Sequence, residues 1–320
     1  MEASPRDALG ALSRPSAVGL ALVLWACEPP PPAPFGTEPV PEPVPFAPER
    51  TTMGMSEYGI TFSPDGTEAY YARQASGRRA RPQIMVSRFE SGVWTRGEPV
   101  SFSTGWEEAP FLTPDGTRLF FSSRRDVPGQ EYARGNNNLW VVERSPDGAW
   151  GVPVPLPGEV NQPRADEDDS PAMSESAPVL LPAGELLYST TEDIEWGLDL
   201  YVADPADRGF VNPRPLSLNT TASETNPAIS PDGRLLVFQA FRELDAIGEQ
   251  DLYVSERIGP SWSTPRLLPE PINSESSDGY PSFSPDGRYF FFASDRRAPG
   301  SSWSIYYVEA DALGLEDEGD

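Results

Sequence analysis

Apolar and polar positions follow one another in blocks that recur about every fifty residues. An apolar run stands directly behind a Ser-Pro-Asp-Gly turn in "TFSPDGTEAYYAR" (61–73), "FLTPDGTRLFFSSR" (111–124), "AISPDGRLLVFQA" (228–240) and "SFSPDGRYFFFASD" (282–295), with a degenerate copy, "VLLPAGELLYSTT", at 179–191. The turn prolines are spaced 50, 68, 49 and 54 residues apart, at Pro64, Pro114, Pro182, Pro231 and Pro285. Regular repetition of this kind indicates a repeat architecture.

Each repeat predicts four strands. The first leads into the turn, and the second is continuously apolar, as in "YFFF" (289–292), which indicates that both of its faces are covered. A third strand follows a polar loop, as in "NLWVVERS" (138–145), and a fourth is broken by prolines, as expected at a sheet edge. The pattern predicts an all-β fold over 44–310: a five-bladed β-propeller of four-stranded antiparallel blades.

The fifth repeat has no fourth strand of its own. After its third strand the chain ends in "ADALGLEDEGD", and we expect the acidic tail, 311–320, to be disordered. The proline-bracketed stretch "PEPVPFAPE" (41–49) resembles the fourth strand of another repeat, "TPRLLPEPI" (264–272). We therefore predict that an N-terminal strand near 43–48 pairs with the third strand of blade five, closes the ring and covers an exposed edge.

The repeat unit also carries a family resemblance. A Ser-Pro-Asp-Gly turn, an apolar strand, "SSRR" (122–125) or "SDRR" (294–297) and then "DLYV" (199–202, 251–254) resemble the WD-like repeat of TolB-type bacterial β-propellers. The resemblance implies a propeller but no particular function, because this repeat occurs in many unrelated proteins. TolB has six blades and an additional N-terminal α/β domain, whereas a proline-rich segment precedes the repeats here, so a Tol-Pal role is not implied.

Two places depart from the repeat. Ala183 replaces the turn Asp in blade three, and an insertion around 159–175 lengthens the connection between blades two and three. The acidic "DEDD" run in this insertion has neither the glycine nor the ligand spacing of a calcium loop. We interpret it as a solvated loop.

Composition and charge exclude several functions. The chain has 320 residues, 24 basic residues that are all Arg, no His, and a net charge of -25. Without His, neither a Ser-His-Asp nor a His-zinc mechanism is possible, and the charge disfavours nucleic acid as a partner. No cofactor motif is present, so we expect no cofactor.

The N-terminus predicts export and lipid anchoring. The apolar run "AVGLALVLWA" (17–26) follows Arg6 and Arg14 and has the length of a signal-peptide core. It ends at Cys27, the single cysteine, and "LWAC" (24–27) resembles the lipobox of bacterial lipoproteins. We predict a signal peptide over 1–26, lipidation at Cys27 and a proline-rich linker over 27–43, and hence an outer-membrane lipoprotein of the cell envelope. An ordinary signal peptide is the alternative.

An acidic residue stands seven positions before every turn proline. These residues, together a candidate binding site at the channel mouth, are Glu57, Glu107, Glu175, Glu224 and Asp278. Their carboxylates could bind a divalent cation or a basic peptide segment, or each could accept hydrogen bonds from backbone N–H groups or from an arginine of the adjacent blade. In blade three, Asp168 is a competing candidate for this position.

Recurring aromatic residues indicate packing between blades. Trp94, Trp150 and Trp262 begin the fourth strand of their repeats, and Phe210 stands at the same place in blade three. Trp106, Trp196 and Trp303 lie outside this register, in loops, where a ligand could contact them.

The sequence favours a non-catalytic binding or scaffolding propeller for a protein, peptide or cation, monomeric and facing the periplasm or the cell surface. No Gly-x-Ser-x-Gly elbow is present, which excludes the propeller-containing serine peptidases. The alternative is a carbohydrate-active five-bladed enzyme of the glycosidase type, because such enzymes require only carboxylates in the channel.

Overall fold

The structure is a computed structural model that describes residues 34–36, 38–46, 54–77, 80–128, 136–161, 174–191, 197–241 and 246–314. All of them belong to one compact unit, 33–320. The predicted signal peptide and Cys27 lie outside the described residues. Within the described part, no helix has the length and apolar character needed to cross a membrane.

The strands form five sheets, one for each sequence repeat, which we number as blades 1 to 5. The inner strands are Met55–Phe62, Glu107–Leu112, Glu175–Leu180, Glu224–Ile229 and Asp278–Phe283. The second strands are Glu68–Ala75, Arg118–Ser123, Leu186–Thr190, Leu235–Ala240 and Tyr289–Ser294. The third strands are Gln83–Glu90, Asn138–Glu143, Asp199–Pro205, Asp251–Ile258 and Ser304–Glu309.

The outer strands are shorter and often interrupted. They are Val93–Trp94 with Glu98–Pro99 in blade 1, Val154–Pro155 in blade 2, Phe210–Pro215 in blade 3, Ser261–Trp262 with Arg266–Leu267 in blade 4, and Val44–Pro45 in blade 5. Adjacent strands within each blade are antiparallel, and each inner strand contacts the inner strands of both neighbouring blades. The predicted five-bladed propeller of four-stranded blades is confirmed.

The hydrophobic core is divided among the five interfaces between blades. Each of five buried clusters combines residues of two adjacent blades. Within the second strand of blade 5, Phe290 and Phe292 pack against blade 4, whereas Tyr289 and Phe291 pack against blade 1. Successive side chains of a strand point to opposite faces, so a strand between two interfaces is apolar at every position.

The N-terminal strand closes the ring as the sequence predicts. Val44 lies opposite Tyr307 and Pro45 opposite Tyr306 on the third strand of blade 5, and Phe46 N–H donates to the Ile305 carbonyl at 2.8 Å. The Phe46 ring is buried in the cluster between blades 5 and 1. The free edge of blade 5 is thereby paired.

Two segments are more ordered than the sequence suggests. Phe35 and Val40, both assigned to the linker, pack against the core cluster between blades 5 and 1, and the Trp94 indole donates to the Pro34 carbonyl at 3.2 Å. At the other end, Ala310–Leu313 form a 3-10 helix in which Leu313 is fully buried. Apolar contacts hold both segments on the propeller, so the tail is ordered up to residue 314; residues 315–320 lie outside the described part.

Candidate functional site

The five inner strands surround a central cavity of about 660 Å³. Every inner strand contains a β-bulge at the same place, where one residue adopts a φ between 49° and 61°: Gly59, Ala109, Ala177, Asn226 and Tyr280. All five line the cavity. Such bulges redirect a strand and turn particular residues away from the ladder.

The Ser-Pro-Asp-Gly turns form one rim of this cavity. In blade 1, Ser63 Oγ donates to Asp65 Oδ1 at 2.6 Å, and the same oxygen accepts from the Thr67 N–H at 3.1 Å. The turn glycine also permits close packing of adjacent turns, since a Cβ at Gly233 would lie 2.6 Å from Pro182 Cγ. The five turn prolines therefore stand together around the opening.

The cavity lining is mainly apolar and has little charge. Nine prolines and side chains such as Phe111, Leu180 and Ile229 line it, together with hydroxyl groups of Thr and Ser. Of the described lining residues, only Asp115 and Arg118 are charged. The Asp115 carboxylate accepts hydrogen bonds from Thr113 and Thr117, which lower its pKa to about 2.

The five carboxylates predicted at the channel mouth lie inside the blades instead. All are buried, with exposed fractions between 0% and 7%, and none lines the cavity. Among the described residues, no three His, Cys, Asp or Glu side chains come together in a group that could hold a metal ion. The structure therefore does not bring these acids together as a single binding site.

Three of the five acids pair with an arginine of their own blade. Arg73 contacts Glu57 at 2.7 Å, Arg125 contacts Glu107 at 3.0 Å and Arg296 contacts Asp278 at 2.7 Å. In blade 4, the Glu224 carboxylate accepts from Thr220 Oγ1 at 2.6 Å. These four acids bind groups within the propeller rather than a shared ligand, as the structural alternative predicts.

Two of these acids differ sharply in ionisation. Burial alone would raise the pKa of Glu107, but donors from Ser103, Thr104 and Arg125 outweigh burial and hold that pKa below its usual value. Burial raises the pKa of Glu175 to about 8, and no arginine of the described residues offsets it. Glu107 is therefore charged at neutral pH, while Glu175 is largely protonated.

The recurring aromatic residues at the start of the outer strands lie at the interfaces between blades, as the sequence predicts. Trp94 and Phe210 are buried between blades, and Trp150 and Trp262 pack against the same kind of interface.

Trp106 and Trp303 are partly exposed. The guanidinium carbons of Arg81 and Arg124 lie 5.9 Å and 4.5 Å from the centre of the Trp106 ring, while Trp303 packs edge-on against Tyr280. Trp196 lies outside the described residues.

The sequence predicts an arginine of the adjacent blade as a possible partner of each acid, whereas the arginines that pair with Glu57, Glu107 and Asp278 come from the same blade as the acid. The signal for two of these arginines was present in the "SSRR" and "SDRR" segments, which contain Arg125 and Arg296 directly after the second strand. Their partners are about eighteen residues away in sequence, and only strand pairing brings them together.

Neither a protein-family model nor a curated protein sequence matches the chain. Among solved structures, a thermostable family-43 glycoside hydrolase has a TM-score of 0.52 at 13% identity, over 79% of this chain and 88% of that one. A putative TolB from Agrobacterium tumefaciens has a TM-score of 0.46 at 17% identity, over 80% of this chain and 78% of that one.

A third similar structure is a puromycin-hydrolysing peptidase of Mycobacterium tuberculosis, with a TM-score of 0.45 at 14% identity. The match covers 81% of this chain but only 37% of the peptidase. At these identities the likenesses concern the fold alone, and that fold is the β-propeller.

Proposed function

We propose that this chain is a non-catalytic binding module of the cell envelope, anchored through Cys27, whose ligand site is the central cavity. The observation that carries the proposal is the lining: nine prolines, which have no N–H to donate, and apolar side chains surround about 660 Å³. This volume lies within the range of sites for small ligands, about 300–1,000 Å³. The cavity would accommodate the apolar tip of a peptide or protein segment rather than a folded domain.

The carbohydrate-active alternative has less support from the geometry. A glycosidase of the usual type uses two carboxylates about 5–10 Å apart in one pocket. Asp115 is the one carboxylate among the described residues that line the cavity, and it is bound within its own turn. These contacts favour binding over catalysis at this site.

The binding proposal can be tested with a photo-crosslinking side chain introduced in living cells. Benzoylphenylalanine at Leu180, which lines the cavity, should yield adducts with a peptide or protein of the envelope. The matched control carries the same group at Val93, which is 60% exposed on the outer strand of blade 1, and should yield no such adducts. Absent adducts, or the same adducts from both positions, would contradict the proposal.

The enzyme alternative has a separate assay. The purified full chain is incubated with a panel of aryl glycosides, beside an Asp115→Asn variant. We expect no release of the aryl group by either protein. Turnover by the wild type that Asp115→Asn abolishes would replace the binding proposal with the glycosidase.

A further inference from the structure

Blades 2 and 5 hold a guanidinium group in the same way at the start of the inner strand. In blade 5, Arg296 contacts Asp278 at 2.7 Å and donates to the carbonyls of Pro271 and Ile272. In blade 2, Arg125 contacts Glu107 at 3.0 Å and donates to the Phe102 carbonyl. A buried acid and a carbonyl of the preceding loop thus share one planar donor group, a geometry that suits guanidinium.

Blade 3 has the acid and the loop, but no arginine stands at the corresponding position of its sequence. Asn161 and Asn273 establish the equivalence of the loops, because each amide side chain receives an N–H from, and donates to the carbonyl of, a third-strand leucine: Leu139 for Asn161 and Leu252 for Asn273. Val160 therefore corresponds to Ile272. Arg125 and Arg296 stand eleven residues after their turn prolines, whereas the residue at that distance in blade 3 is Asp193.

Two buried polar groups are left without the usual partners at this position. Glu175 is 2% exposed, and among the described residues no other residue donates to its carboxylate. Thr190, opposite Glu175 on the second strand, is also 2% exposed, and its Oγ1 has no hydrogen-bond partner in the part of the chain that the structure describes. Buried polar groups are normally satisfied, so the pair marks a place for a missing donor.

This end of the blade reaches the surface and has a negative surrounding. Ser174 and Thr191, adjacent to Glu175 and Thr190, are partly exposed. The ionisable groups on the described elements packed around this end are Glu107 with its partner Arg125, Glu108, Arg124, Asp199 and Glu224. Four acids and two arginines leave this end with a net negative charge, which attracts a cationic group in a chain of charge -25.

We propose that blade 3 binds the guanidinium group of an arginine side chain from a partner protein, with Glu175 as the carboxylate and Thr190 and the Val160 carbonyl as the other acceptors. This site is distinct from the central cavity, and the inference does not depend on the cavity's ligand. Glu175 gives its proton to the solvent when the guanidinium binds, because the ion pair requires the carboxylate. Binding is therefore coupled to the release of about one proton at neutral pH.

The test is isothermal titration calorimetry of the full chain with N-acetyl-arginine amide. Titrations in two buffers of different ionisation enthalpy should show proton release, and affinity should rise by up to about tenfold per pH unit between pH 6 and 8, then level off. N-acetyl-citrulline amide, which has the same shape without the charge, should not bind.

Variants complete the test. Glu175→Gln should abolish binding while the protein keeps its circular dichroism spectrum, and Glu185→Gln, an acid elsewhere on blade 3, should bind like the wild type. No binding by the wild type, or binding that Glu175→Gln leaves unchanged, overturns the proposal. The chain's own Arg164 belongs to the insertion before Glu175 and lies outside the described residues. Binding that appears only in an Arg164→Ala variant also overturns the proposal, because Arg164 would then be the occupant.

Discussion

Glu107 is a fully buried carboxylate that keeps its charge because donors surround it. It accepts from the Thr104 N–H at 3.0 Å, the Gly105 N–H at 2.9 Å, Ser103 Oγ at 2.7 Å and Arg125. Removing one partner of a buried charged hydrogen bond leaves the others unsatisfied, and this costs more than the bond itself contributes. The acid therefore ties a loop, an inner strand and a second strand together.

We expect Glu107→Gln to lower the free energy of unfolding by about 1–3 kcal/mol at pH 7. The folded-state pKa of Glu107 lies below its unfolded value, so this contribution is present above pH 4.5 and is lost as pH falls through the folded-state pKa. Urea unfolding at pH 7 and at pH 3 measures the difference. Glu143→Gln, an exposed acid of the same blade, is the control; an equal effect of the two substitutions would contradict the prediction.

The raised pKa of Glu175 predicts that its contribution to folding stability depends on pH in the opposite direction. Its folded-state pKa, about 8, lies above the unfolded value of 4.5, so the folded state retains a proton that the unfolded state loses. This contribution to stability is complete below pH 4.5 and falls as pH rises towards 8, by at most about 1.4 kcal/mol per pH unit.

Glu175→Gln keeps the neutral form at every pH, so the variant should gain stability relative to the wild type as pH rises from 5 to 8. Melting temperatures across this range give the comparison. Parallel curves for the two proteins would mean that Glu175 does not titrate in this interval.

At the scale of the element, the strand that closes the ring, Val44–Pro45, is only two residues long, but a large side chain, Phe46, follows it directly. Phe46 lies 5.1 Å from Trp94 and 5.6 Å from Phe291, ring centroid to ring centroid, with edge-on geometry. Aromatic contacts of this kind add to the area buried. The ring of blades is thus closed by side-chain packing as much as by the strand's hydrogen bonds.

Phe46→Ala should therefore destabilise the protein by about 3–5 kcal/mol, through the cavity left between blades 5 and 1. Val44→Ala, in the same strand but 37% exposed, should cost far less. Thermal unfolding of both variants by calorimetry provides the measurement. If Phe46→Ala melts at the wild-type temperature, the closing strand does not hold the ring.

The turns show how an element tolerates loss of its motif. In blade 3, Leu181 and Ala183 replace the serine and aspartate of the motif, yet the Gly184 N–H still donates to the Leu181 carbonyl at 2.8 Å. The backbone bond and the glycine define the turn, and the side-chain bonds reinforce it.

At the scale of the whole molecule, the lipid anchor predicted at Cys27 would decide where the propeller acts. We expect Cys27→Ser to abolish incorporation of labelled palmitate and to move the protein from the membrane fraction to the soluble periplasmic fraction. Cell fractionation with immunoblotting follows the change. Palmitate labelling that survives the substitution, or a variant that stays with the membrane, would contradict anchoring at Cys27.

The sequence by itself determined the fold class, the number of blades and the closing strand. These features follow from local information: turn chemistry at Ser63–Gly66, continuous apolar second strands, and a fifth repeat without an outer strand.

Only the tertiary structure decided what the recurring acids do. The recurrence of an acid seven residues before each turn proline is compatible with a shared ligand or with separate partners. Which of the two holds depends on the arginines that strand pairing brings near Glu57, Glu107 and Asp278. The docking of Phe35 and Leu313 likewise depends on apolar surfaces that exist only once the blades are assembled. Contacts between residues distant in sequence set burial and supply the donors, and the two together decide that Glu107 is charged while Glu175 holds a proton.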